Sequence, residues 1–88
     1  MFFNEYIEFG FVNLESFKLE LGKNIAHIRK RENMTQPELG ALLNKDFQSI
    51  SRIENGKVNI SAHLLYELAK TLKVHVDELL DFSKKEDE

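Results

Sequence analysis

The stretch Thr35–Gly56 reads TQPELGALLNKDFQSISRIENG and holds two short helical patterns with only a few polar residues between them. Thr35 and Glu38 have the spacing of a capping box, in which each side chain bonds to the backbone N–H of the other residue. Met34 and Leu39 flank this start at the spacing of a hydrophobic staple. The pattern therefore predicts that a helix begins immediately after Thr35.

A second helix is predicted from Phe47 to Asn55, close behind the first. Asp46 precedes it as an N-cap, and Gly56 follows it as a stop, because glycine adopts the left-handed conformation easily. Two helices joined by so short a turn and braced by other helices form a helix-turn-helix. The second helix of such a pair can enter a DNA major groove only if its outer side is polar.

The second helix meets that requirement. Ile50 and Ile53 form its apolar stripe. An amide such as that of Gln48 can pair with adenine, and a guanidinium such as that of Arg52 can pair with guanine. The side chains on the predicted outer side are Phe47, Gln48, Ser51 and Arg52.

Three further helical patterns surround this pair. The first runs from Leu14 to Glu32 behind an Asn13 cap, a later one begins after Ser61, and the last ends near Phe82. The apolar residues at helical spacing in the first four helices are Leu14, Phe17, Leu21, Ile25, Ile28, Leu39, Leu42, Leu43, Ile50, Ile53, Leu64, Leu65, Leu68, Ala69 and Leu72. The short fifth helix is indicated by Val74, Val76, Leu79, Leu80 and Phe82.

The sequence thus predicts an all-α, five-helix helix-turn-helix domain over residues 14–82. Residues 1–13 precede it as an aromatic arm, in which an alternating pattern favours a β-strand and a helical reading is nearly as good. Residues 83–88 follow as a charged, solvated tail. We expect the arm, or alternatively the fifth helix, to make a dimer.

Composition excludes several classes of protein. The 88 residues contain no cysteine, which rules out disulfides and thiolate metal sites. No apolar run is long enough to cross a bilayer, and the first residues lack the basic cluster of a secretory signal. We therefore expect a cytoplasmic protein without membrane contact.

Charge is distributed unevenly along the chain. The formal net charge is −3, yet residues 22–62 carry seven basic side chains against four acidic ones. The basic excess coincides with the paired helices, as expected of a surface that faces phosphate. The run Arg29-Lys30-Arg31 fits either a phosphate-binding patch or a solvated helix end.

Nothing in the sequence indicates catalysis. The three histidines lack metal-ligand spacing, the serines of the second helix lack a histidine–acid neighbourhood, and the four glycines form no phosphate loop. We expect no catalytic residue, no metal and no small-molecule cofactor.

The segments LGKNIAHIRKRENMTQPELGALL, QSISRIENGKVNIS and LLYELAKTLKVHVDELL together resemble the lambda-repressor/Cro-type (XRE-like) helix-turn-helix family of DNA-binding proteins. The resemblance implies that Glu54 has a structural role and holds an arginine or a backbone amide. It implies DNA contacts for Gln36, Phe47, Gln48, Ser51, Arg52, Asn55, Lys57 and Asn59.

The sequence departs from the family pattern at three positions. Asn44 replaces the usual turn glycine, which an αL residue tolerates. Lys45 replaces a small apolar residue and either loosens the turn or reaches phosphate, so we include it among the DNA contacts. Phe47 replaces a polar residue and either touches thymine methyl groups or packs on the domain or a partner.

Two functions fit these features. The first is a sequence-specific transcriptional regulator, a repressor, that binds palindromic operators in double-stranded DNA as a homodimer. The alternative is a protein-interaction module of the same fold, such as an antitoxin or adaptor. The acidic ends of the chain and the apolar Phe47 favour this alternative.

Overall fold

The computed structural model describes residues 13–83 and shows five helices within them. The predicted all-α class is therefore confirmed. The predicted arm before Asn13 and the predicted tail beyond Ser83 lie outside the described residues. The helices are α1 (Leu14–Arg31), α2 (Gln36–Leu43), α3 (Phe47–Glu54), α4 (Ala62–Leu72) and α5 (Val76–Leu79).

Side-chain caps fix the starts of four helices. Asn13 accepts from the Ser16 N–H at 2.8 Å, and the predicted capping box before α2 has both of its bonds. The remaining two caps are Asp46 before α3 and Ser61 before α4. The α5 helix begins after His75 without a side-chain cap.

Left-handed residues end the first four helices. Asn33, Asn44 and Gly56 have φ values of 60°, 61° and 72°. Asparagine tolerates this conformation, and glycine adopts it freely because it has no Cβ atom. Lys73 takes the same conformation after α4, with φ of 64°, although lysine has no preference for it. In each case the N–H of the left-handed residue and the N–H of the residue after it donate to carbonyl oxygens of the last helical turn, so the chain reverses within a few residues.

The core lies between all five helices, each of which contributes buried apolar side chains. Ile25, Leu39, Ile50 and Leu68 are completely buried there. The remaining buried apolar residues are Leu21, Ile28, Ile53, Ala69, Leu72 and Leu79.

Leu14 and Leu42 contradict the predicted inward face, since 54% and 63% of their surfaces are exposed. The packed part of α1 begins only at Phe17. On α2 the buried side is centred between Leu39, Gly40 and the half-buried Leu43. Leu42 lies about 110° away from that direction, at about 100° of rotation per residue, and faces solvent.

The chain after α4 is tied to α1. The Asn24 side chain donates to the backbone oxygens of Leu79 (2.8 Å) and Asp81 (3.2 Å), which satisfies carbonyls at the end of α5. The Phe17 and Phe82 rings pack edge to face with centroids 5.5 Å apart. The fifth helix is shorter than predicted, because it ends at Leu79 and Leu80 is its C-cap.

No helix in residues 13–83 has the length and apolar character needed to cross a membrane.

Candidate nucleic-acid interface

The turn between α2 and α3 depends on a close backbone approach at Gly40. A Cβ atom placed there would lie 2.5 Å from the backbone oxygen of Lys45, which is too short for any side chain. Asn44 supplies the left-handed residue and Asp46 then caps α3, its carboxylate accepting from the Ser49 N–H at 2.8 Å. The turn between the two helices is only three residues long, residues 44–46. The close approach at Gly40 and the Asp46 cap therefore fix the orientation of α3 relative to α2.

The α3 helix turns one side to the core and the other to solvent. Ile50 and Ile53 are buried, as predicted. Phe47 is 49% exposed, Gln48 and Arg52 are exposed, and Ser51 is half-buried. The predicted polar outer side is therefore present, and its contact with DNA stays a prediction.

Lys45 and the loop after α3 frame this outer side. Lys45, Asn55, Lys57 and Asn59 are all exposed. The Asn55 amide donates to the Ser51 hydroxyl at 3.3 Å, which holds the side chain against the last turn of α3. Among the exposed residues from 45 to 57, three are cationic, Lys45, Arg52 and Lys57, and one is acidic, Asp46.

Hydrogen bonding lowers the pKa of Asp46 below its ordinary value of 3.8. The main cause is the Ser49 backbone N–H, to which the Ser49 hydroxyl and the nearby Lys45 charge add. These groups all favour the ionised carboxylate. The residue thus stays charged as a cap and offers no proton for chemistry near neutral pH.

A buried ion pair holds the end of α3 against α1 and the start of α2. Arg29 donates from Nε to Glu54 Oε2 at 2.6 Å and from Nη2 to Glu54 Oε1 at 3.0 Å. Its Nη1 donates to the Met34 backbone oxygen at 2.7 Å. The Gln36 amide donates to Glu54 Oε1 at 2.9 Å. The expected structural role of Glu54 is thus borne out.

The ion pair also overturns both readings of the run Arg29-Lys30-Arg31 as one surface. Arg29 is 7% exposed and belongs to the interior. Arg31 is turned to the other side of α1, where its Nη1 lies 2.7 Å from Glu78 Oε2. Only Lys30 of the three has no ion-pair or hydrogen-bond partner within residues 13–83. The sequence alone does not show that Arg29 is buried, because its partner Glu54 lies 25 positions further along the chain.

Gly22 permits α1 to touch α3. A Cβ atom there would lie 2.5 Å from the Glu54 backbone oxygen and 2.6 Å from that of Ile53. The contact brings Arg29 within reach of Glu54. A glycine within a long helix is the one sequence signal that could have revealed this approach.

The arrangement suits binding more than chemistry. One short helix presents amide, hydroxyl and guanidinium groups outward, and ammonium groups stand beyond both of its ends. Base edges are read by the first kind of group and phosphates by the second.

Comparison with known proteins agrees with this geometry. The family model HTH_3, described as helix-turn-helix, matches residues 25–79. A relative in Sinorhizobium fredii, named as an uncharacterized HTH-type transcriptional regulator y4dJ, is 38% identical over 58 residues, which cover 65% of this chain and 75% of the relative.

Two solved structures have similar folds. The restriction-modification controller protein C.AhdI from Aeromonas hydrophila is 24% identical, with a TM-score of 0.66 over 69% of this chain and 92% of that one. The clp gene regulator ClgR from C. glutamicum is 23% identical, with a TM-score of 0.71 over 75% of this chain and 86% of that one. At these identities the likeness shows the fold alone.

The earlier resemblance to lambda-repressor-like proteins is therefore confirmed. With its capped helix pair, its outward-facing α3 and a family match over most of the described residues, this chain belongs to the helix-turn-helix family of DNA-binding transcriptional regulators.

Proposed function

We propose that this protein is a sequence-specific repressor that binds operators in duplex DNA as a homodimer and reads bases with α3. The observation that carries the proposal is the division of α3 into a buried stripe of Ile50 and Ile53 and an exposed side with Gln48 and Arg52. A helix of this kind serves packing and groove recognition at once.

Each exposed group has a role in this proposal. Gln48 and Arg52 pair with base edges, and Phe47 contacts thymine methyl groups. The Ser51 hydroxyl either bonds to a base or accepts from Asn55 and holds that side chain in place. The remaining contacts position the protein on phosphates and carry no sequence information. These positioning residues are Gln36, Lys45, Asn55, Lys57 and Asn59.

Dimerisation follows from the size of the reading surface. The α3 helix is eight residues long, or about 12 Å, and can contact only a few base pairs of one major-groove segment. Two copies related by a two-fold axis would read two half-sites about 34–36 Å apart, or a multiple of that distance. A palindromic operator then matches the symmetry of the protein.

Selection of bound duplexes from a random pool tests the proposal. We expect repeated rounds to enrich one short motif in two inverted copies, with a spacing that places both on one face of the DNA. Recovery of a motif in a single copy would contradict the dimer but not the reading of bases by α3. Recovery of no motif would contradict sequence-specific binding altogether.

A second function, docking of a protein partner, is favoured by two exposed apolar side chains beside the turn. Leu42 and Phe47 are 63% and 49% exposed and lie on either side of residues 44–46. Phe47→Gln separates the two functions. If Phe47 reads DNA, the variant should change the selected motif at one thymine. An unchanged motif and affinity would leave Phe47 available for a protein.

A further inference from the structure

A groove lies beside the α3 helix, on a face of α1 that the predicted DNA contacts do not include. Its volume is about 560 Å³, and it is open to solvent. Lys23, His27 and Lys30 line it from one side of α1, where spacings of four and three residues place them together. Gln36, Asn55 and the Arg29–Glu54 ion pair also line it.

The groove is cationic. Among the residues that the structure describes, Glu54 is the only acidic one that lines it, and Arg29 and Gln36 donate hydrogen bonds to that carboxylate. Lys23 has one weak ion pair, 4.0 Å from Glu20 on its own helix. Within residues 13–83, the exposed side chains of Lys30 and His27 have no ion-pair or hydrogen-bond partner. Two ammonium groups and an imidazole are therefore available to a ligand.

The position of the groove indicates which ligand this is. Gln36 is the first residue of α2, and Asn55 is the C-cap of α3. Because α3 is about as long as the major groove is wide, groups beside its ends lie near the sugar–phosphate backbone. A DNA strand that passes Gln36 and Asn55 would cross the mouth of the groove. Lysine binds phosphate as a flexible point charge and needs no fixed geometry.

We propose that the groove binds the phosphodiester backbone of the same duplex that α3 reads, with Lys23 and Lys30 as its ligands and His27 as an additional hydrogen-bond donor. The inference rests on the proposed function and extends the protein's footprint beyond the paired helices. It assigns a role to Lys30, the one cation of the run Arg29-Lys30-Arg31 that has no partner within residues 13–83.

Salt dependence of binding to a random-sequence duplex tests the groove. Each phosphate contact contributes about 0.9 to the slope of log affinity against log salt concentration. We expect Lys30→Gln and Lys23→Gln each to lower the slope by up to that amount, and the double variant to lower it by the sum. Lys30→Arg keeps the charge and should keep the slope.

Lys70→Gln is the matched control. Lys70 also lies exposed in the last turn of its helix, but it lines a different groove, between α4 and α5. The control should retain the wild-type slope. Thermal unfolding of all the variants checks that the lysine substitutions leave the fold intact.

The outcomes separate the groove from the function. If the wild-type protein binds duplex DNA and both single variants and the double variant keep its slope, the groove proposal is wrong and the regulator survives. If the slope falls equally in Lys70→Gln, the effect is one of net charge and the groove is again excluded. If the wild-type protein binds no duplex at any salt concentration, both proposals fail.

Discussion

At the scale of single residues, the exposed groups on and near α3 differ in what they are expected to read. Arg52 is exposed in the last turn of α3, and its guanidinium suits the two major-groove acceptors of guanine. Arg52→Ala should relax base preference at one position of the selected motif by about 1–3 kcal/mol. Selection repeated with the variant measures this loss directly.

Lys57 provides the contrast to Arg52. Lys57→Ala should weaken binding to all duplexes about equally and lower the salt slope by about 1, because a phosphate contact carries no sequence information. Titration of the selected duplex and of a scrambled one at several salt concentrations measures both effects. An unchanged motif after Arg52→Ala, or a changed one after Lys57→Ala, would reverse the assigned roles.

Arg29 and Arg31 allow the same substitution to be compared at a buried and an exposed ion pair. The side chains of Arg29 and Glu54 are 8% and 6% exposed, whereas those of Arg31 and Glu78 are 43% and 31% exposed. Arg29→Gln leaves a buried carboxylate without its partner and should lower the free energy of unfolding by about 3–5 kcal/mol. Arg31→Gln should cost less than about 1 kcal/mol.

Urea denaturation at pH 7 measures both free energies. Since domains are stable by only about 5–15 kcal/mol, the Arg29 variant should be close to unfolding at moderate temperature. Equal losses for the two variants would show that the Arg29–Glu54 pair does not hold α3 in place.

At the scale of helices, the starts and ends of most elements were predictable because local chemistry decides them. The capping box at Thr35, the Asp46 cap and the Gly56 stop are all present where the pattern indicated. Lys73 was not predictable as a left-handed residue, since nothing in its side chain favours that conformation.

The inward faces were less predictable than the helix ends. Leu42 has helical spacing with Leu39, yet it is exposed because the direction in which α2 packs is set by Gly40 and the turn. Apolar spacing identifies a helix but does not say which arc of it other elements cover. For the same reason the sequence could not assign the three cations at the end of α1 to different environments.

The cap of α3 predicts a pH dependence of stability. Because the pKa of Asp46 is lower in the folded protein than in the unfolded chain, its charge stabilises the fold above the unfolded value. This stabilisation should be lost as the pH falls from about 4 through the lower folded value. Asn is about as effective an N-cap as Asp, but its side chain carries no charge that protonation could remove.

The comparison of wild type with Asp46→Asn isolates that effect, since all other titrating groups are shared. The advantage of wild type in free energy of unfolding should be constant between pH 5 and pH 7 and should shrink below about pH 4. A difference that stays constant down to pH 2 would show that the cap does not depend on ionisation.

Because of the contact between α1 and α3, replacing Gly22 should lower stability, whereas replacing a glycine within a helix usually raises it. Gly22→Ala should raise helix propensity by about 1 kcal/mol. The added Cβ atom nevertheless meets two backbone oxygens of α3, neither of which can move alone. We expect a net loss of stability, since overpacking costs about 1–3 kcal/mol, and weaker DNA binding because α3 shifts.

Ser16→Ala, at an exposed position of the same helix, is the control and should be neutral or slightly stabilising. Thermal unfolding of the two variants gives the comparison. A stabilised Gly22→Ala variant would mean that α1 and α3 are further apart than the structure shows.

At the scale of the whole molecule, the fold class, the helix-turn-helix and the number of helices within residues 13–83 were predictable from the sequence. They follow from periodicity and caps that repeat along the chain. The network of Arg29, Glu54 and Gln36 was accessible only in part, because a resemblance indicated that Glu54 is structural but not which arginine it binds. Long-range pairings of this kind require the tertiary arrangement.

The assembly of the molecule carries its own prediction. For the protein alone at high concentration, we expect sedimentation equilibrium to give a mass of about twice 10.3 kDa. With the selected duplex present, we expect two protomers on each duplex. One protomer on a duplex that contains both half-sites would contradict the dimer. It would leave the reading of each half-site intact.

The central claim is that the outer side of α3 meets base edges. Nuclear Overhauser contacts between the isotope-labelled protein and the selected duplex measure this most directly. The account predicts contacts from the side chains of Gln48 and Arg52 to major-groove protons, such as thymine methyl and cytosine H5 protons. Contacts confined to α4 and α5, with the α3 side chains unperturbed by DNA, would contradict it.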